Sequence, residues 1–379
     1  MEIDRPLPLL GGLSARQFMR RHWQKKPMLV RQAVPGMVPP IARSALFDLA
    51  TKEDVESRLI QHGKSGWALR HGPLARRALP SLRQPGWTLL VQGVDLHHQG
   101  VHELLQRFRF VPDARLDDLM ISYASDTGGV GPHFDSYDVF LLQVHGRRRW
   151  SIGRQRDLRL QPDVPLKILA QFEPEQNFVL EPGDMLYLPP RYAHDGVADG
   201  GDCMTYSIGL RSPAAAPLGA DLLARIAEAH AEELQDAPAQ AAVHYRDPAQ
   251  PALENPAAMP PALQAFAREA VLAALRDGNV IDRALGESMT EPKSNVWFEQ
   301  GEPLSQLGGV ALDRRTRMLY DQRHLYINGE SFRASGRDAR LMQRLADQRM
   351  LGPRDLAGAS GDALALLNDW CEAGWLHAE

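Results

Sequence analysis

The stretch GGVGPHFDSYDVFLLQVHGRRRW, residues 128–150, decides how the chain folds. It opens on a glycine-rich turn, passes through His133-Phe134-Asp135 and runs into DVFLLQV (138–144), an apolar run of strand length. After Gly146 a second β run, RRWSI (148–152), begins. In an extended chain, residues i and i+2 point to the same face. A strand opening at His133 therefore presents His133 and Asp135 together.

The same grammar continues on both sides. LMISYAS (119–125) precedes the stretch, and DMLYL (184–188) and MTYSIGL (204–210) follow it, with the turn Glu181-Pro182-Gly183-Asp184 between them. Short strands at this spacing, from about Asp118 to Arg211, predict an antiparallel barrel or sandwich. Upstream, Ser14 is a good N-cap for a helix with Phe18 and Met19 on one side. Beyond Pro213 the strands stop. Residues 218–235 have helical spacing and good helix formers, and a stretch with Pro238, Pro248, Pro251, Pro256, Pro260 and Pro261 reads as an irregular wrap. A second helix is expected over roughly 262–276. RMLYDQ and HLYING then give a hairpin signal with Asn328-Gly329, before helices near 337–348 and 361–374. The expected division is a mainly β catalytic domain (1–212), an α-helical connector (213–300) and a small α+β C-terminal domain (301–379).

Composition sets bounds. The chain has 379 residues, 44% of them apolar and 24% charged, which is ordinary for a globular protein. Forty-three basic against 47 acidic residues leave a net charge of −4, which argues against direct nucleic-acid binding through phosphate contacts. No apolar run is long enough to span a membrane. The opening MEIDRPLPLLGG lacks the pattern of a secretion signal, and Cys203 and Cys371 match no zinc or disulfide spacing, so a reducing cytoplasm is expected.

One constellation carries chemistry. His133 and Asp135 need a third ligand from another strand, and His194 follows DMLYLPPRYA at a strand's end. Two histidines and one carboxylate form the facial triad of non-haem Fe(II) oxygenases. The tripeptide alone is weak: 13 His and 28 Asp in this chain give about one His-x-Asp by chance. His230/Glu232 and His377/Glu379 match a similar pattern, the first on a predicted helix where i and i+2 face apart and the second at the chain's end. The glycine-rich turn, the β-rich surroundings and the second histidine set His133 apart. His145 and His97-His98 read as turn and loop residues.

Strand alternation sends Arg148 to one face and Arg147 and Arg149 to the other. An arginine aimed into a barrel is costly unless a carboxylate pairs with its fork, and the distal carboxylate of 2-oxoglutarate is such a partner. The run from Gly183-Asp184 through Pro189 to His194 resembles the second cupin motif, with Arg191 where many cupins have glycine.

Together, residues 128–150 and LEPGDMLYLPPRYAHDGVA (180–198) resemble the JmjC-type ribosomal oxygenases, and more narrowly their bacterial branch, the ribosomal protein arginine hydroxylases. FMRRHWQKKPMLVRQAVP (18–35) and MTYSIGLR (204–211) match the same family, so the resemblance covers the whole chain. It implies a double-stranded β-helix (cupin) of the JmjC type, a helical connector through which homodimers form, and a winged-helix-like end. It also implies Fe(II), with 2-oxoglutarate and O₂ as co-substrates. The metal ligands fall on His133, Asp135 and His194. The 2-oxoglutarate anchor falls on Arg148, in place of the lysine of eukaryotic relatives, and an assisting hydroxyl falls on Ser122. No catalytic side chain is implied beyond the metal centre.

The implied substrate is C-3 of an arginine in the sixteenth protein of the large ribosomal subunit. Alternatives are a histidyl hydroxylase of a ribosomal protein, or a metal-binding cupin without 2-oxoglutarate chemistry. A cationic substrate needs acidic or aromatic neighbours, and Asp126, Tyr137 and Asp138 lie near the site in sequence. A DNA-binding regulator is disfavoured, because helix 337–348 mixes Arg337, Arg340 and Arg344 with Asp338 and Asp347; a protein-contact role suits it better.

Overall fold

Two antiparallel sheets face each other across the β-rich region. The larger is built from β1 (Met28–Val30), β2 (Ser57–Gly63), β3 (Gly66–His71), β4 (Trp87–Val91), β5 (Leu116–Ala124), β6 (Val139–His145), β9 (Met185–Leu188) and β11 (Cys203–Leu210), in the order β1-β9-β6-β11-β5-β4-β2-β3. The smaller is β10-β7-β8, from β7 (Arg148–Gly153), β8 (Gln176–Leu180) and β10 (Ala193–Ala198). These come from a computed structural model, which describes all residues except 1, 237–242, 253, 256, 305–307, 334 and 379. The expected strands at 119–125, 138–144, 148–152, 184–188 and 204–210 are all present.

Strands β4, β5, β6, β9 and β11 of the large sheet are buried on both faces, which is why they read as nearly continuous apolar runs. Its outer face packs Ile121, Tyr123, Phe140, Leu142, Tyr206 and Ile208 into the main core. Helices α1 (Ala15–Arg21), α2 (Arg43–Leu49) and α3 (Gln99–Gln106) add Phe18, Phe47, Val101 and Leu104 to that core. Helix α1 starts as expected: the Ser14 hydroxyl accepts from the Gln17 N–H, and the Gln17 side chain accepts from the Ser14 N–H, a full capping box. On the inner face Val139, Leu141, Leu186 and Leu188 meet Trp150, Ile152 and Leu180 of the small sheet. Further along, this face turns polar. Register aligns Ser122 with Thr205 and Thr205 with Gln143, a polar row across β5, β11 and β6.

Two expectations need correction. Residues 133–135 do not open a strand. Gly131 takes a left-handed φ of +80°, Pro132 has no N–H to donate, and regular pairing begins only at Val139. His133 instead forms a single bridge to His194, with N–H···O distances of 3.0 and 2.8 Å in the two directions. The Asn-Gly signal is also displaced. Asn328 and Gly329, both at positive φ, join β14 (His324–Ile327) to β15 (Glu330–Arg333), while the preceding turn at 321–323 joins β13 (Met318–Tyr320) to β14.

Met1–Ser212 with Ser294–Val296 form one compact unit, and Pro213–Lys293 with Trp297–Glu379 form a second. The second carries α4 (Ala215–Asp236), α5 (Pro261–Ala274) and α6 (Gly278–Thr290), the last not expected from sequence. Pro238 and Pro256 of the proline-rich stretch lie outside the described residues. The C-terminal part adds β12 (Val310–Leu312), α7 (Gly336–Gln348), β16 (Met350–Leu351), α8 (Pro353–Leu356), α9 (Gly361–Glu372) and β17 (Leu376–Ala378). Two three-stranded sheets, β16-β12-β17 and β13-β14-β15, enclose a core that includes Val310, Ile327, Leu345, Leu367 and Trp370. No helix among the described residues is long and apolar enough to cross a membrane.

Candidate metal centre and co-substrate pocket

His133, Asp135 and His194 come together. One ligand atom from each lies within 4.8 Å of the others, and no other such group of His, Cys, Asp or Glu exists among the described residues. The His194 Nε2 stands 3.7 Å from Asp135 Oδ2, and the two imidazole centroids are 4.2 Å apart. Ligands sharing one octahedral ion stand about 3 Å apart, so small side-chain shifts close this set around a metal.

The backbone fixes which nitrogen faces the centre. The Nδ1 of His133 lies 2.9 Å from the Gly131 carbonyl, and the Nδ1 of His194 lies 2.9 Å from the Tyr192 carbonyl. A carbonyl can only accept, so each Nδ1 carries the proton and each Nε2 keeps its lone pair for a metal. Burial, reinforced by the neighbouring His133, pulls the His194 pKa down to about 4, so this imidazole is neutral at pH 7 and able to ligate. The His133–His194 bridge holds the two rings together, and the Arg191 N–H donates to the Asp135 carbonyl at 2.7 Å. Arg191 itself adopts φ +63°, so the turn that uses glycine in many cupins is kept here with a side chain present. The donor set thus fits a divalent iron in type, number and tautomer.

Arg148 lies on the inner face of the small sheet, opposite Ala198, with His194 further along that face opposite Ile152. It is 2% exposed. Its Nη1 donates to the Ser122 hydroxyl at 2.9 Å and to Thr205 Oγ1 at 3.4 Å, and its Nη2 donates to the Gly196 carbonyl at 3.1 Å. The Nε has no partner, and no carboxylate of the described residues pairs with the guanidinium. The charge also rests on the Trp150 ring, 5.2 Å from its centroid. Thr205 donates to Gln143 Oε1 at 2.8 Å, and Gln143 in turn donates to the His145 and Gly146 carbonyls. By contrast Arg147 and Arg149 are exposed and lean on Asp199. A buried cation without a counter-ion is costly, so the pocket is built for an anion.

Sequence reasoning missed Thr205 and Gln143. The only signal was a polar residue at an inward position in strands otherwise apolar. Gly196 was also missed. A Cβ there would meet the Trp150 ring at 2.7 Å and Arg148 Nε at 2.9 Å, so glycine keeps the space that Arg148 occupies.

The three residues singled out for a cationic substrate separate. Tyr137 neighbours the site: burial, then the charges of Asp135 and Asp118, hold its hydroxyl protonated well above the usual phenol range. Asp138 is fully buried and bonded to Tyr187 and Gln24, with Arg115 at 3.5 Å, which makes it structural. Asp126 accepts the Gly200 and Gly201 N–H groups in a turn. His145 is half exposed, 3.5 Å from Asp202, and takes no part in the centre.

Residues 103–218 match the JmjC domain family, and residues 255–377 match the ROXA-like winged helix. The chain is 32% identical over 383 aligned residues to the ribosomal protein uL16 3-hydroxylase of Escherichia coli strain K12, covering 96% of this chain and 97% of that protein. The X-ray structure of E. coli ycfD superposes with a TM-score of 0.81 at 30% identity, covering 97% and 98% of the two chains. A structure of the same ribosomal oxygenase in complex with cobalt and 2-oxoglutarate gives 0.79, again at 30% identity, over 96% and 98%.

Proposed function

We propose, from the premise that this chain belongs to the JmjC-domain ribosomal oxygenases, that it is a 2-oxoglutarate- and Fe(II)-dependent hydroxylase of a large-subunit ribosomal protein. The observation that carries the reading is Arg148, a buried guanidinium that no carboxylate among the described residues pairs with directly, beside a His-Asp-His centre. A metal-binding cupin without 2-oxoglutarate has no use for such a charge.

In this reading His133, Asp135 and His194 hold Fe(II) on one face. Bound iron, with 2-oxoglutarate and O₂, supplies the oxidising power to place one oxygen atom into a C–H bond. The protein's own part is positional. Arg148 neutralises the distal carboxylate of 2-oxoglutarate, while Ser122 and Thr205 hold the guanidinium fork in place. Gln143 orients Thr205, and Trp150 with the apolar inner cluster excludes water from the space between the sheets.

The proposed target is C-3 of an arginine in the sixteenth large-subunit protein. The uL16 3-hydroxylase relative supports the protein and the carbon, and the surroundings of Tyr137 support a cationic side chain. Tyr137, 38% exposed, offers a cation an aromatic face. We further propose a cytoplasmic homodimer, with 213–300 as the dimerising connector and 301–379 as a protein-contacting domain. The test is succinate release from 2-oxoglutarate in the presence of a uL16 fragment. It should require Fe(II), and its absence with iron shown to be bound would leave only the metal-binding cupin.

A further inference from the structure

His133 lies outside the strand ladders, so its ring must be held by other means. Residues 128–132, Gly-Gly-Val-Gly-Pro, form no strand, and Pro132 has no N–H to give. The bridge to His194 ties the His133 backbone on one side. The ring is oriented by the Gly131 carbonyl, 2.9 Å from Nδ1. Where that carbonyl points depends on the backbone of Gly131, held at φ +80°.

Other parts of the same unit grip this loop. On β4 the Thr88 hydroxyl donates to the Gly129 carbonyl at 3.2 Å, and the Leu169 N–H donates to the Pro132 carbonyl at 2.8 Å. Gly131 lies between these two bonds, and there the hold is packing. A Cβ on Gly131 would stand 3.0 Å from Ile168 Cδ1 and 3.1 Å from Trp67 Cζ2, so both side chains already close on the glycine.

Both side chains are themselves braced. Trp67 belongs to β3, the terminal strand of the large sheet, and is half-buried there. His62 stands directly opposite it in the β2–β3 register, and the two rings stack with centroids 4.1 Å apart and planes 18° from parallel. Ile168 is 1% exposed, and its carbonyl accepts the Gln161 N–H at 2.8 Å. Neither Trp67 nor Ile168 can ligate a metal, yet both bear on the glycine whose carbonyl orients His133.

From this arrangement we propose that Trp67, backed by His62, and Ile168 are positioning residues for the metal centre. They hold the Gly131 carbonyl on the His133 Nδ1–H and so keep Nε2 turned toward Asp135 and His194. This role rests on the reading of His133 as an iron ligand. The partner of a ligating imidazole's second nitrogen is worth about 10–100-fold in metal affinity, and a slackened partner should cost the lower end of that range.

The test is calorimetric titration of the full-length, metal-free protein with Co(II), whose visible absorption also reports the ligand geometry. Trp67→Ala should raise the Co(II) Kd about tenfold and alter the visible bands, with the melting temperature of the metal-free protein unchanged. Trp67→Phe keeps a ring beside Gly131 and should recover most of the affinity. Ile168→Val removes only Cδ1 and should cost about two- to threefold. Arg70→Ala, on the opposite face of the same strand, should leave Co(II) binding as it is, which separates the ring contact from a general loosening of the hairpin. Unchanged Co(II) affinity and absorption in Trp67→Ala, or an equal loss in Arg70→Ala, would overturn the proposal. A wild-type chain that takes up no Co(II) would overturn the metal centre along with it.

Discussion

Arg148 donates to the Ser122 hydroxyl at 2.9 Å across the space between the two sheets, and no carboxylate among the described residues pairs with it directly. Its counter-ion is expected to arrive with the co-substrate. Arg148→Ala should raise the 2-oxoglutarate requirement about 10–100-fold, the loss of a charge-assisted pair in a dry site. Gly196→Ala should act in the same direction without removing the charge, because the new methyl would overlap Trp150 and Arg148. The KM for 2-oxoglutarate is the readout, and an unchanged value in Arg148→Ala would place the guanidinium outside the pocket.

His133→Ala and Asp135→Ala each remove one of the three convergent donors. Both should lose bound iron and turnover while the far-ultraviolet circular dichroism stays native, since the main core lies on the other face of the large sheet. Iron content by mass spectrometry separates loss of metal from loss of fold. Near-wild-type turnover in either variant would remove the assignment.

How far the sequence revealed this site follows from physics. The strands of β5, β6 and β11 were legible because burial on both faces leaves long apolar runs. The three converging side chains, His133, Asp135 and His194, were legible because a glycine-rich turn and a second histidine framed them. Their geometry was not: a bridge between His133 and His194, not strand alternation, brings them together, and tertiary pairing has no local signature. Thr205 and Gln143 were missed for a related reason. Their shared row with Ser122 exists only in the register between three strands far apart in sequence. Asn328-Gly329 was recognised as a turn, but assigned to the wrong pair of strands because β15 is short and polar.

Arg191 stands at φ +63° in the turn that holds Asp135. Arg191→Gly should leave stability unchanged or raised by up to about 1 kcal/mol, relief of left-handed strain set against a more flexible unfolded chain. Arg191→Val, β-branched, should cost about 1–2 kcal/mol or more and weaken iron binding by shifting Asp135. Thermal melts of the two variants moving in the same downward direction would contradict this account of the turn.

In the second unit, burial opposes the charge on Asp313. Hydrogen bonds from Arg315 and His377, both at 2.7 Å, outweigh it and hold the carboxyl down at about 2. Because the folded value lies below the unfolded one, this stabilisation is complete above about pH 4 and is lost as pH falls toward 2. Asp313→Asn should therefore destabilise the protein at pH 7 by roughly 1–3 kcal/mol and flatten the acid limb of its stability curve. Denaturant melts between pH 2 and 7 read both effects, and an unaltered acid limb would show that the cluster contributes nothing.

The central claim is hydroxylation of a ribosomal protein, and intact-fragment mass spectrometry tests it most directly. A uL16 fragment incubated with the protein, Fe(II), 2-oxoglutarate and ascorbate should gain the mass of one oxygen atom. Fragmentation should place that oxygen on an arginine, and the gain should vanish without 2-oxoglutarate and in His133→Ala. An unmodified fragment, with iron bound and succinate not released, would contradict the account.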